Sequence, residues 1–318
     1  MRHRVFIDGQ AGTTGLEIHA RLAHRPEIEL LEIDPSRRKD PAARRELLND
    51  ADAVILCLPD DAAREAVALI ESPGVRVLDA STAHRIADDW VFGLPELAAP
   101  QRDAIRASRR IANPGCYSTG FILAVRPLRD AGLLRDDGDP TVHALSGYSG
   151  GGRAMVDRYR ALAEQGPEAM LAPRAYGLGL DHKHLPEMAH YTGLARAPVF
   201  TPMVGHFYKG MLVQIPLPAS LFARPTSPEE LVELFARRYE DDPCIRVLRP
   251  DGRAALEEGF LDPQACNDSN RVDLMVFGNA ERMLVIARLD NLGKGAGGAA
   301  VQNLNLVLGL DELAGVSL

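Results

Sequence analysis

Within its first 112 residues the chain repeats one pattern, a short apolar run followed by a helical stretch, and no other feature restricts its fold as strongly. Val5 to Ile7 reads as a strand, Gly9-Gln10-Ala11-Gly12-Thr13-Thr14-Gly15 as a turn, and the residues to about Leu22 as a helix. Apolar runs at Ile28 to Ile33, Ala53 to Leu58, Val75 to Leu78 and Arg110 to Ala112 predict four further strands. A helix after Asp60 repeats Ala63, Val67 and Ile70 at helical spacing. Strands that alternate with helices pair in parallel, because each helix carries the chain back to the same end of the sheet.

This pattern predicts an α/β fold, a Rossmann-type doubly wound parallel sheet with helices on both faces. From about residue 140 the rhythm changes. Val142 to Leu145, Met211 to Ile215, Asp273 to Phe277 and Met283 to Leu289 read as longer strands with few helices between them, which predicts an α+β second domain. The clearest helix there begins at Ser227-Pro228-Glu229-Glu230, with Ser227 as cap, Pro228 in the first turn and Glu230 closing a capping box. A last helix, from about Gly298 to Leu308, places Val301, Leu304 and Leu308 on one face and is expected to pack back on the first domain.

The glycine loop lies between a strand and a helix, where backbone N–H groups and the helix dipole favour a dinucleotide pyrophosphate. Its Gly9-x-x-Gly12-x-x-Gly15 spacing differs from GxGxxG, and the strand before it and helix after it supply the specificity. After the second strand comes Asp34-Pro35-Ser36-Arg37-Arg38-Lys39. An acid there would bond a ribose 2′-hydroxyl, whereas cations would take a 2′-phosphate. A solvated charged loop is the plain alternative. Three cations with Ser36 favour NADP over NAD. The expected organisation is residues 1–112 as an NADP-binding domain completed by a C-terminal helix at 297–318, and residues 113–296 as a catalytic and oligomerisation domain.

Cys116 stands in Asn113-Pro114-Gly115-Cys116-Tyr117-Ser118-Thr119-Gly120, just ahead of an apolar stretch that reads as a helix. A thiol at a helix N-terminus is favoured as thiolate. An inert buried thiol is the alternative, and Cys57, inside Val54-Ile55-Leu56-Cys57-Leu58, fits that description. A thiolate beside a nicotinamide suggests attack on an acyl carbon, with a thioester that hydride reduces to an aldehyde. The acid/base candidates lie in Asp181-His182-Lys183-His184-Leu185-Pro186-Glu187; if that stretch is extended, only one histidine faces the thiol. Ser81-Thr82-Ala83-His84-Arg85 and Ser146-Gly147-Tyr148-Ser149-Gly150-Gly151-Gly152-Arg153 offer donors for anionic substrate groups. The net charge of −8 argues against general nucleic-acid binding. The four cysteines show neither close pairing nor zinc spacing, so no metal is expected. With no signal peptide and no apolar run near the ~18 residues of a membrane span, a cytoplasmic location without a membrane partner is expected.

These motifs carry a family resemblance. GQAGTTG at 9–15, DASTAHR at 79–85, FGLPE at 92–96, NPGCY at 113–117, SGYSGGGR at 146–153, HKHLPE at 182–187 and NLGKGAGGAAVQNLN at 291–305 resemble the shorter-form N-acetyl-γ-glutamyl-phosphate reductases, within the group that includes aspartate-semialdehyde dehydrogenase. HKH stands where longer relatives read HRH, and YSTG where they read YPT. The resemblance implies NADP(H), a small acyl-phosphate substrate and a homo-oligomer, dimer or tetramer. It implies Cys116 as nucleophile and His184 as acid/base. It also implies substrate contacts at Arg85, Arg153, Ser149 and Gly150, and cofactor contacts at Gly9, Gly12, Thr13, Thr14, Gly15, Ser36, Arg37, Arg38, Asn291 and Gly295.

Overall fold

The computed structural model describes residues 2–318. The chain divides into two compact units, one formed by residues 2–115 with 296–317 and the other by residues 116–295.

In the first unit the order is β1 (His3–Asp8), α1 (Thr13–Leu22), β2 (Ile28–Leu31), α2 (Pro41–Asp50), β3 (Ala53–Leu56), α3 (Asp60–Ala68), β4 (Arg76–Asp79), β5 (Val91–Phe92), α4 (Gln101–Ala107) and β6 (Arg110–Ala112). All strand pairs are parallel, in the order β2-β1-β3-β4-β6-β5. β1 has β2 on one side and β3 on the other, so the loop after β1 opens at a topological switch point, where α/β sheets bind ligands. Side chains alternate between two cores. Val5, Ile7, Ile55 and Leu78 join Ile18, Val301 and Leu304 on one face, while Phe6, Val54, Leu56 and Val77 join Leu48, Ala63 and Trp90 on the other. The C-terminal helix (Gly298–Leu308) belongs to this unit and is buried nearly all round, including Gln302, Asn303 and Asn305. Buried amides need partners: Asn305 accepts from Arg25 at 2.7 Å and Gln302 donates to Glu96 at 3.1 Å.

The second unit begins with α5 (Cys116–Asp130), followed by β7 (Thr141–Ser146), α6 (Gly152–Glu164), β8 (Arg174–Ala175), α7 (Leu185–Thr192), β9 (Val199–Val204), β10 (Met211–Pro218), α8 (Pro228–Arg238), β11 (Ile245–Val247), β12 (Leu256–Glu257), β13 (Phe260–Leu261), β14 (Val272–Asn279) and β15 (Arg282–Leu289). Its mixed sheet runs β11-β14-β15-β10-β7-β9-β8, and α5 and α8 pack on it. The fold class is thus a Rossmann-type sheet with an α+β second unit. Ser227 caps α8 as the sequence predicts, accepting from the Glu230 N–H at 3.3 Å, and the Glu230 carboxylate is shared between Arg224 and the Ser227 backbone, which together hold it below the usual range.

Candidate functional site

The glycine loop of the first unit is built for close approach. Gly9 has φ +89°, and a Cβ there would lie 2.3 Å from the Cys57 carbonyl oxygen. At Gly15 a Cβ would lie 2.6 Å from the Gly9 oxygen. Either side chain would force the loop open. α1 starts at Thr13 with Gly12 as N-cap and no side-chain cap, so the N–H groups of Thr13, Thr14 and Gly15 are placed for a phosphate. Next to this loop is a cleft of about 570 Å³, lined by Gly9, Gln10, Ala11, Glu32, Arg38, Lys39 and Arg44 among others. These residues fit a dinucleotide: a glycine cradle for the pyrophosphate and cations beyond the end of β2.

The basic run is sorted by its local partners. Asp34 accepts from the Ser36 hydroxyl at 2.7 Å and the Ser36 N–H at 2.8 Å, which hold its carboxyl below the usual range. Arg37 pairs with Asp40 at 2.9 Å. Arg44 pairs with the buried Asp8 at 2.7 Å. Arg38 and Lys39 are the members of the run that line the cleft, and Arg37 is not among its walls.

At the end of β4, Asp79 is fully buried and accepts from Ser81 Oγ at 2.7 Å, with His84 Nδ1 at 2.6 Å. The His84 ring stacks on Trp90, centroids 4.2 Å apart. Arg85, 7% exposed, donates from Nε to the Asn113 carbonyl at 3.1 Å and from Nη2 to the Ala80 carbonyl at 3.3 Å. Its bonds thus reach the backbone of the segment that leads into Cys116.

In the second unit Cys116 is the first residue of α5, three residues earlier than the apolar stretch alone marks. A Cβ at Gly295 would come within 2.7 Å of Cys116 Cβ, so that position admits only glycine. Tyr117 is buried, and its hydroxyl meets the Tyr176 hydroxyl at 2.8 Å. Burial, with Tyr176 and Cys116 nearby, pushes the Tyr117 phenol well up; burial lifts Tyr176 to about 12. Both phenols therefore stay neutral near pH 7. Around the Tyr117 ring lie His182 at 5.6 Å, His184 at 5.8 Å and Phe200 at 5.0 Å.

The two histidines do not face opposite ways. Residues 182–184 form a turn, closed by the Leu185 N–H on the His182 carbonyl at 2.9 Å, and the rings meet edge-on at 4.7 Å. Leu185 then starts α7, with His184 as N-cap residue, Pro186 second and Glu187 buried in the first turn. The His184 N–H donates to His182 Nδ1 at 3.1 Å. An imidazole nitrogen that accepts carries no proton, so the neutral His182 ring holds its proton on Nε2.

Ser149 and Asn291 form a separate knot, with Asn291 donating to Ser149 Oγ at 2.8 Å and accepting from the Gly210 N–H at 2.9 Å. Gly150 leaves space beside it, the nearest side-chain atoms being 3.5 Å from a Cβ. Arg153 lies in the first turn of α6, more than half exposed, paired with Asp157 at 3.0 Å. The structure thus gathers Cys116, His182, His184 and Gly295 with Tyr117 in one unit, and ties Ser149 and Asn291 to each other. Tyr176 and Asn303 are additions that sequence reading did not single out, and Lys39 was read there only as part of the basic run. Lys39 carried a signal, as the third cation of its run, whereas the tyrosine and asparagine pairings have none in sequence.

Cys57 is the contrasting thiol. Burial, reinforced by Asp79 and Asp8, pushes it up to about 12. Among the described residues no His, Cys, Asp and Glu cluster could hold a metal, and no helix is long and apolar enough to cross a membrane.

Residues 4–107 match the NAD binding domain of semialdehyde dehydrogenases, and residues 116–291 match the semialdehyde dehydrogenase dimerisation domain. The chain is 49% identical over 318 residues to N-acetyl-gamma-glutamyl-phosphate reductase 2 of Nostoc sp., covering 98% of this chain and 99% of that one. It is 50% identical over 311 residues to N-acetyl-gamma-glutamyl-phosphate reductase 2 of Pseudomonas putida, covering 96% of each. In fold it is similar to aspartate semialdehyde dehydrogenase II of Vibrio cholerae, solved as a complex with ASA, with a TM-score of 0.71 at 16% identity over 97% of this chain and 98% of that one. The NADP-bound aspartate semialdehyde dehydrogenase of Candida albicans gives 0.66 at 17%, over 97% and 99%. This chain belongs to the N-acetyl-γ-glutamyl-phosphate reductase family, within the semialdehyde dehydrogenases.

Proposed function

We propose that this protein catalyses the NADPH-dependent reduction of N-acetyl-γ-glutamyl phosphate to N-acetylglutamate semialdehyde, with release of phosphate, as a step of arginine biosynthesis. The observation that carries the chemistry is Cys116 as first residue of α5, in a unit that also holds the histidine pair around Tyr117. The choice of substrate rests on the identity to reductases along nearly the whole chain.

In this reading the Cys116 sulfur, held as thiolate by the N-terminus of α5, attacks the acyl carbon. The C–O bond to phosphate breaks, phosphate leaves with the electron pair, and a thioester remains. NADPH supplies the hydride when bound. His184 protonates the oxyanion left at that carbon and takes the proton back as the C=O bond re-forms, the C–S bond breaks and the thiolate returns. His182, whose Nδ1 accepts from the His184 backbone, orients its neighbour. Gly9, Gly12, Thr13, Thr14 and Gly15 hold the pyrophosphate, and Ser36, Arg38 and Lys39 surround the 2′-phosphate, with Arg37 contributing only at longer range. Arg85 and Arg153 supply cationic charge for the acyl phosphate; Ser149, Gly150, Asn291 and Gly295 shape the walls around the reacting groups.

We place the enzyme in the cytoplasm, where Cys57, Cys116, Cys244 and Cys266 would remain as the free thiols seen here. A second copy of the chain is proposed to cover the outer face of the mixed sheet, where Val199 and Met203 of β9 are 47% and 38% exposed.

The test is phosphate-dependent reduction of NADP⁺ with N-acetylglutamate semialdehyde in one arm and aspartate semialdehyde in the other. A clear preference for the first is expected. A preference for the second would replace the assignment with that of the structural neighbours.

A further inference from the structure

The chemistry proposed above depends on where the Cys116 sulfur sits. We propose that Asn303, on the C-terminal helix, is a positioning residue for this nucleophile, acting through Asn113. The inference rests on the reading of Cys116 as the attacking group.

Asn113 opens the segment Asn113-Pro114-Gly115-Cys116. Pro114 has no N–H and Gly115 no side chain, so within the segment ahead of Cys116 it is Asn113 that offers side-chain amide hydrogen bonds. Each of its hydrogen-bonding groups is engaged. Its N–H donates to the Asp79 carbonyl at 2.8 Å, and its carbonyl accepts from Arg85 Nε at 3.1 Å. Its side-chain Nδ2 donates to the Ala296 carbonyl at 3.1 Å, and its Oδ1 accepts from Asn303 Nδ2 at 3.1 Å. Asn113 is therefore held at once by the end of β4, by Arg85, by the turn before the C-terminal helix and by the helix itself.

The Asn303 amide is oriented by two acceptors. Its Nδ2 donates to Asn113 Oδ1 and also to the Gly93 carbonyl at 2.8 Å, which fixes which end is nitrogen. That choice leaves Asn303 Oδ1 fully buried with no donor among the described residues. Selection for stability alone disfavours an orphaned acceptor, so the benefit lies in where the two N–H groups point. Gly93 is shaped to the same end, since a Cβ there would lie 2.4 Å from Asn303 Nδ2. Removing these donors loosens Asn113 and the segment that follows it. A nucleophile displaced by about 1 Å loses on the order of a hundredfold in rate.

The experiment uses the full chain with Asn303→Ala and Gly93→Ala, which disturb one amide from its two sides. Thermal unfolding, kcat and KM for N-acetylglutamate semialdehyde oxidation, and the pH profile of Cys116 alkylation by iodoacetamide are measured on each. In variants still folded at the assay temperature, kcat should fall about ten- to a hundredfold with KM changed less than about threefold. The midpoint of Cys116 alkylation should move to higher pH in both, as the thiol leaves the helix N-terminus. Wild-type kcat and alkylation in a folded variant would overturn the proposal. So would a raised KM at unchanged kcat, which would place Asn113 in substrate binding. Asn303→Ser keeps a donor and serves where Asn303→Ala unfolds; if all three variants unfold, the amide is purely structural and the proposal fails. Turnover that survives complete alkylation of Cys116 would instead defeat the functional reading on which this rests.

Discussion

Cys57 and Cys116 both lie where a strand gives way to a helix, yet they stand in different surroundings. Cys57 follows β3, is followed by Pro59, and shares its surroundings with two carboxylates, Asp8 and Asp79, which together with burial push its thiol up to about 12. Cys116 is itself the first residue of α5, at the positive end of that helix, with no room for a side chain at Gly295. A cysteine's reactivity is thus set less by the element it borders than by whether negative charge or a helix N-terminus faces it.

The sharpest way to separate the two thiols is to remove each. Cys116→Ala should abolish reduction, by at least about 10⁴-fold in kcat, with NADPH affinity by fluorescence titration unchanged. Cys57→Ala should keep kcat and lose roughly 1 kcal/mol of stability, the typical effect of a small core truncation, seen in a denaturant melt. At pH 8, well below a midpoint of about 12, Cys57 should remain unalkylated by iodoacetamide while Cys116 reacts. Modification of Cys57 at a comparable rate would erase the contrast.

The histidines extend it. His184→Asn should lower kcat by about 10²–10⁴ with little change in cofactor affinity, read by single-turnover hydride transfer so that product release does not hide the chemical step. His182→Asn should be milder, since Nδ1 of that ring is occupied by the His184 N–H. A larger loss in His182→Asn would exchange their roles.

A smaller effect is expected in the first unit. Arg38→Ala with Lys39→Ala should reduce discrimination for NADPH over NADH by about tenfold or more, because charged hydrogen bonds to phosphate contribute roughly 1.5–3 kcal/mol. Arg37→Ala should change it by less, given the Asp40 pair. Equal effects of the two changes would mean that the ion pair opens when cofactor binds.

Local signals were readable in the sequence and nonlocal ones were not. The run Val5-Phe6-Ile7 predicts a strand of a sheet with helices on both faces, and its side chains do enter two cores, Val5 and Ile7 one and Phe6 the other. The placement of Cys116 at a helix start followed from Pro114 and Gly115. By contrast, the contact between Asn303 and Asn113 spans 190 residues and joins two ordinary amides, so no spacing announces it. Strand β9 was missed because Pro202 argues against a strand, yet the Pro202 carbonyl still accepts the Tyr176 N–H at 3.1 Å. An extended stretch would have turned the two histidines to opposite sides; they lie instead in a turn, because α7 begins at Leu185 directly after them. Arg37 and Arg38 are indistinguishable in sequence; only the position of Asp40 separates them.

The most direct measurement of the central claim omits phosphate. Protein, N-acetylglutamate semialdehyde and NADP⁺ are mixed without phosphate or arsenate, so that the thiolate adds to the aldehyde, hydride passes to NADP⁺ and the resulting thioester has no acceptor. The account predicts a burst of about one NADPH per active site. It also predicts an acyl mass shift confined to the Cys116 peptide, with Cys57 unmodified. Steady turnover with no acylated peptide, or acylation at another residue, would contradict it.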